Sequence, residues 1–139
     1  MNGKRWALVL MALTIVIAGC GSGPSLEGTQ WLLVSLEGET PLASTAPPSV
    51  EFSADEISGS TGCNHYFGAY DVSGSEITIR DVASTEMACM DPEGVMDQEQ
   101  AFLAALRETT GYNLAGDRLE FLDATGSVRM EFESAPASP

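Results

Sequence analysis

Three sulfurs and one imidazole are the side chains of this chain best suited to chemistry: Cys20, Cys63, Cys89 and His65. Cys63, His65 and Cys89 could offer a soft metal ion three ligands. Their spacing argues against it, because there is no Cys-x-x-Cys and residues 63 and 65 share a face only if the chain there is extended. Asp91, Glu93 and Asp97 lack the loop spacing of a calcium site. A Ser–His–Asp hydrolase is no better supported, since no Gly-x-Ser-x-Gly occurs and nothing marks a nucleophile. His65 then reads as a hydrogen-bonded or solvated strand residue. The expectation is a non-enzyme with neither metal nor cofactor, whose sulfurs serve modification and cross-linking.

Cys20 is the first of these. It ends an N-terminal stretch in which Lys4 and Arg5 precede the nearly all-apolar residues 6–17. That stretch is shorter than the ~20 residues needed to span a bilayer. A positive flank, a short apolar run and small residues at its end describe a secretory signal. Ile17-Ala18-Gly19-Cys20 resembles the bacterial lipobox, whose cysteine receives diacylglycerol before cleavage. Gly21-Ser22-Gly23-Pro24-Ser25 then makes a flexible tether. The expected organisation is a signal peptide over 1–19, a lipidated (palmitate-type) Cys20 with its tether over 20–28, one domain over 29–133 and a disordered tail over 134–139. Two or more acyl chains hold stably where one is marginal, so the membrane is met through lipid. The expected location is the bacterial cell envelope, facing the periplasm or the exterior. With Cys20 so used, Cys63 and Cys89 remain as a pair in a compartment where disulfides persist. Two unpaired buried thiols are the alternative.

Charge narrows the partners. Loss of Lys4 and Arg5 leaves four scattered arginines against 20 acidic residues, a formal charge of −16. A nucleic-acid binder needs a clustered basic footprint, and attraction to anionic headgroups needs the same. Both are excluded as partners of the protein surface. An envelope protein or an apolar ligand remains, with a monomer expected.

The elements that must position these residues are mostly strands. Val128, Met130 and Phe132 alternate with polar neighbours, as do Ile77 with Ile79 and Leu119 with Phe121. Residues 31–36 form a more continuous apolar run, and 50–53, 57–61 and 66–72 are further short candidates. Turn signals separate them, including Glu37-Gly38, Ser73-Gly74-Ser75 and Ala115-Gly116-Asp117. The rhythm changes over 92–109, where Val95, Glu99, Phe102, Leu103 and Leu106 share one helical face. Asp91 suits the N-cap and Pro92 the first helical position, Asp97 and Glu99 suit the positive end of the helix dipole, and Gly111 stops the helix. The expected fold is α+β and mainly antiparallel: a small curved sheet or partly open β-barrel with one flanking α-helix.

Two longer clusters carry a family resemblance. Gly62-Cys63-Asn64-His65-Tyr66-Phe67-Gly68-Ala69-Tyr70 and Ser84-Thr85-Glu86-Met87-Ala88-Cys89, after the first strand led by Trp31-Leu32-Leu33, resemble the signature of the META domain family, the HslJ-like lipoproteins. The resemblance runs over residues 29–132. It implies a small, partly open antiparallel barrel with a flanking helix, in envelope lipoproteins linked to stress or antibiotic tolerance, and implies no reaction. From the residues alone, Gly59, Gly62 and Gly68 permit a bulge or close backbone approach. Asn64 suits a positive-φ position or a bond from its side chain to backbone. Trp31, Tyr66 and Tyr70 either seal the rim of the core or line a ligand groove on the open side of the half-barrel.

Overall fold

The computed structural model describes residues 25–43 and 46–136. The expected signal peptide over 1–19, Cys20, most of the expected tether and the last three residues of the expected tail lie outside the described residues. Alternating apolar positions become strands with one face inward. β1 (Gln30–Leu36), β2 (Ser49–Phe52), β3 (Glu56–Ser60), β4 (His65–Ser73) and β5 (Glu76–Ser84) follow in order. Helix α1 (Val95–Glu108) comes next, then β6 (Gly111–Ala115), β7 (Arg118–Leu122) and β8 (Val128–Ser134).

Each strand pairs antiparallel with its neighbour in sequence, and β8 returns to β1, so the curved sheet closes on itself. The ring is narrowest between β5 and β6, which share only the register pair Glu76↔Gly111. Helix α1 leads out of β5's end and into β6, beside that seam. The expected mainly antiparallel curved sheet with one flanking helix is the observed one.

Sequential hairpins put alternate turns at opposite poles of the ring. The β2–β3, β4–β5 and β6–β7 turns share a pole with both ends of the described stretch, where the Ala135 N–H donates to the Gln30 carbonyl at 2.8 Å. The β3–β4 turn, the segment 85–94 and the β7–β8 turn occupy the other.

The interior is filled by inward side chains of every strand and by one face of α1. Phe52, Ile57, Tyr66, Ile77, Leu119, Phe121, Met130 and Phe132 meet Phe102, Ala105 and Leu106 with essentially no exposure. Phe121 stacks edge-on against Phe132 at 5.2 Å, and Tyr66 tilts over Phe102 at 5.4 Å. Burial of such side chains contributes about 1.5–3 kcal/mol each, which makes this face of α1 the chief reason for its position.

Two glycines permit the curvature. A Cβ on Gly59 would sit 2.1 Å from the Ser49 carbonyl oxygen, and one on Gly68 would sit 2.8 Å from that of Arg80. Gly68 lies opposite a bulge in β5, where the register passes from Phe67↔Ala83 to Ala69↔Arg80. Asp81 takes a positive φ of 55° there, and the extra residue bends the strand.

Two expectations about α1 need correction. The helix does not begin at Pro92 with Asp91 as its cap. It begins at Val95, preceded by Gly94 in the left-handed region at φ 86°, with no side-chain cap. Pro92 instead accepts the Val95 N–H at 3.1 Å in a turn, because Cys89 is held in a cross-link and the chain must first leave it. At the other end Thr109 is the C-terminal cap and Gly111 opens β6. Arg107 sits in the last turn and Asp97 in the first, each where the dipole favours its charge.

Candidate functional site

The two sequence clusters meet at the pole away from the chain ends, joined by α1. Residues 61–64 form the turn between β3 and β4. Residues 85–94 leave β5 as an irregular strap, and Glu99 projects inward from the second turn of the helix. A disulfide joins Cys63 to Cys89 with Cα atoms 5.9 Å apart, so the strap is stitched to the turn. Both sulfurs are thereby consumed, and the metal-ligand trio considered from sequence loses two of its members. His65 stays exposed at the start of β4, its backbone N–H donating to Thr85 Oγ1 at 3.1 Å.

Beneath the disulfide lies a buried polar knot centred on Asn64. Its side-chain oxygen accepts from the Met87 N–H and from the Thr85 hydroxyl, both at 2.7 Å. Its side-chain nitrogen donates to the Met87 carbonyl at 3.0 Å and to the Glu99 carboxylate at 2.9 Å. Asn64 thus mimics a strand neighbour for the strap and reaches the helix as well. Of the two sequence readings for Asn64, the bond to backbone is the one found. The Glu99 carboxylate also accepts from the Thr61 hydroxyl at 2.5 Å and from the Asn64 N–H at 3.2 Å. Thr61, Asn64 and Glu99 are all buried. A buried carboxylate is tolerated when donors surround it, and here three donors do so in place of a cation.

Glu99 is the participant that sequence reading misjudged. Its place at the positive end of the helix dipole explained it sufficiently, yet it stands past the first turn on the face that Val95, Phe102 and Leu106 bury. An acid in the middle of an apolar helical stripe was the available signal. Thr61 carried no signal of its own.

The three aromatic groove candidates all join the core. Trp31 on β1 and Tyr66 and Tyr70 on β4 point inward and are buried. Gly68 lies between the two tyrosines on the same face of β4. Each polar tip finds an acceptor at the edge: Tyr66 donates to the Ser49 carbonyl and Tyr70 to that of Ser53, both at 2.9 Å. The Trp31 ring N–H reaches Thr29 Oγ1 at 2.7 Å. Burial pushes both phenols above their ordinary range, with Glu27 and Asp55 adding to the effect on Tyr70. Such groups stay neutral and serve as anchors.

Trp31 also borders a cleft of about 730 Å³ at the pole of the chain ends, together with Gly28, Thr29, Leu114, Ala135 and Pro136. Tyr66 and Tyr70 do not reach it.

A second charged group organises the β7–β8 turn. Asp123 caps that turn through Thr125 and Ser127. Arg129 spans Glu37, Glu108 and Asp123 at 2.7, 2.9 and 3.3 Å. The Thr125 hydroxyl, the backbone donors and Arg129 together hold the Asp123 carboxyl at about 2.

Known proteins are similar to this chain in sequence or in fold. Heat shock protein HslJ of Escherichia coli K12 is 24% identical over 121 residues, covering 82% of this chain and 86% of its own. A structure determined by NMR from Burkholderia xenovorans is 26% identical with a TM-score of 0.62, covering 79% of this chain and 83% of that one. A DUF4847-family protein from Bacteroides vulgatus shares the fold at 13% identity and a TM-score of 0.58, over 78% of this chain and 93% of that one. The family model of the META domain matches residues 24–136, the stretch that holds the eight strands, the strap and the knot, and the chain belongs to the META domain family.

Proposed function

We propose that this protein is a lipid-anchored, non-catalytic module of the bacterial cell envelope, acting through structure or through contact with an envelope protein in tolerance of stress or antibiotics. The observation that carries the reading is the use to which both motif clusters are put. Asn64, Thr85, Glu99, Cys63 and Cys89 bond to one another or to the backbone, so these groups are engaged within the fold. A group engaged in this way is a support, whereas a general base must reach a proton on substrate. The anchor follows from Cys20, which stands at the end of the apolar stretch. A surface with a formal charge of −16 after processing favours a soluble domain held near the membrane by lipid alone. The name of one relative, a heat shock protein, accords with a stress role.

Intact-mass and peptide analysis of the membrane-extracted protein tests the anchor. A diacylglyceryl group on Cys20 as the new N-terminus is expected, and an intact methionine start without lipid overturns it. A deletion strain challenged with heat and with envelope-acting antibiotics tests the role, with lowered survival expected.

The Trp31 cleft supports a second reading, binding of an apolar small molecule or acyl chain. Its volume falls in the ~300–1,000 Å³ range of ligand sites. Native mass spectrometry decides between the two, since retained lipid that a Trp31→Ala variant loses favours binding, and a bare mass favours the structural role.

A further inference from the structure

Three of the four methionines among the described residues, Met87, Met90 and Met96, lie within ten positions around Cys89. The fourth, Met130, is in the core with 0% exposure. Met87 is 57% exposed and Met90 89%, more than any other large apolar side chain among the described residues. Exposure of this degree forfeits the burial that ordinarily justifies an apolar side chain. Nor does the fold use the thioethers, because Asn64 holds Met87 by its backbone N–H and carbonyl. Met96 is different: it is half-buried, and its Sδ accepts the Cys89 N–H at 3.4 Å.

We infer that Met87 and Met90 form a surface site for a two-electron oxidant of the peroxide class. A sulfur lone pair attacks the terminal peroxide oxygen, the O–O bond breaks, and the thioether becomes a sulfoxide. The departing hydroxide collects a proton and leaves as water. A dithiol reverses the change, taking the oxygen away as water while its two thiols become a disulfide. Oxygen transfer needs only access to each sulfur, so the two side chains need not converge. The strap survives the added polarity because its position depends on the Cys63–Cys89 bond and on backbone groups. In the core the same change would place a polar sulfoxide among apolar neighbours.

The test is a hydrogen peroxide time course on the full purified chain, read residue by residue by peptide mass spectrometry. Sulfoxide is expected at Met90 and Met87 at least about tenfold faster than at Met130, whose oxidation must wait for opening of the core. The near-ultraviolet circular dichroism should hold through that fast phase. Methionine sulfoxide reductases for both epimers should then restore the original peptide masses. A doubly substituted chain, Met87→Leu with Met90→Leu, should fold alike and lose the fast phase of peroxide consumption. Equal rates at residues 87, 90 and 130 overturn the proposal, as do loss of the folded signal during the fast phase, sulfoxides that resist the reductases, or an undiminished fast phase in the double variant.

Discussion

At the scale of single residues, the Asn64–Glu99 contact is where the domain departs furthest from the apolar packing around it. A buried carboxylate without a cation is acceptable only while its donors stay in place, so each member of the knot depends on the others. Asn64→Ala removes two side-chain donor contacts and two acceptor contacts. A lost buried partner costs about 1–3 kcal/mol, and we expect destabilisation at the upper end of that range in urea unfolding. Glu99→Ala should cost less, because it removes the costly group together with its bonds. The double variant should then be less destabilised than the sum of the singles, by roughly 0.5–3 kcal/mol for groups in contact. Strict additivity in that cycle would show the contact to be energetically idle.

At the scale of elements, the disulfide and the β7–β8 turn give separate expectations. The Cys63–Cys89 link spans 26 positions, which on the chain-entropy model stabilises the fold by roughly 3–4 kcal/mol. Cys63→Ser with Cys89→Ser should lower stability by up to that amount. Hydrogen exchange should quicken first in residues 85–94, since the strap has no ladder of its own. In the β7–β8 turn, Asp123 has its folded value depressed from 3.8 to about 2. A depressed carboxylate favours folding above its unfolded value, and that contribution fades as pH falls through the folded one. Stability should therefore drop between about pH 4 and pH 2, and Asp123→Asn should flatten this part of the curve in a thermal-unfolding series.

Legibility in the sequence also divides by element. Strands with clean alternation, such as β8 with Met130 and Phe132, were readable because one face is buried and the other wet, although Val128 at the start of β8 is exposed. β6 was not, since Gly111-Tyr112-Asn113-Leu114-Ala115 offers only two large apolar side chains beside a glycine. Its strand conformation comes from pairing with β7 from Gly111↔Leu122 to Ala115↔Arg118. The buried face of α1 was legible from its period, but its start was not, because Asp91-Pro92 is a sound local helix opening that the Cys89 cross-link overrides. The knot was legible only in half. Asn64's appetite for backbone was visible, whereas its meeting with Glu99 spans 35 positions of chain and exists only once the helix has docked.

At the scale of the whole molecule, the ring of hairpins separates two poles with different contents. Both ends of the described stretch and the Trp31 cleft occupy one, and the disulfide, the knot and the exposed methionines occupy the other. From Cys20 to buried Leu26 there are six residues, a reach of at most about 20 Å when fully extended. Fluorophores attached at Asp117 and at Asp91, in turn, should therefore respond differently to quencher-bearing lipids. The Asp117 label should be quenched strongly and the Asp91 label weakly, and equal quenching would show that the domain tumbles freely over the bilayer. Because the up-and-down strand order brings the first and last strands side by side, the lipid anchor proposed at Cys20 would orient the whole domain: its acyl chains would hold the floor, and Met87 and Met90 would become a canopy turned toward whatever arrives from outside.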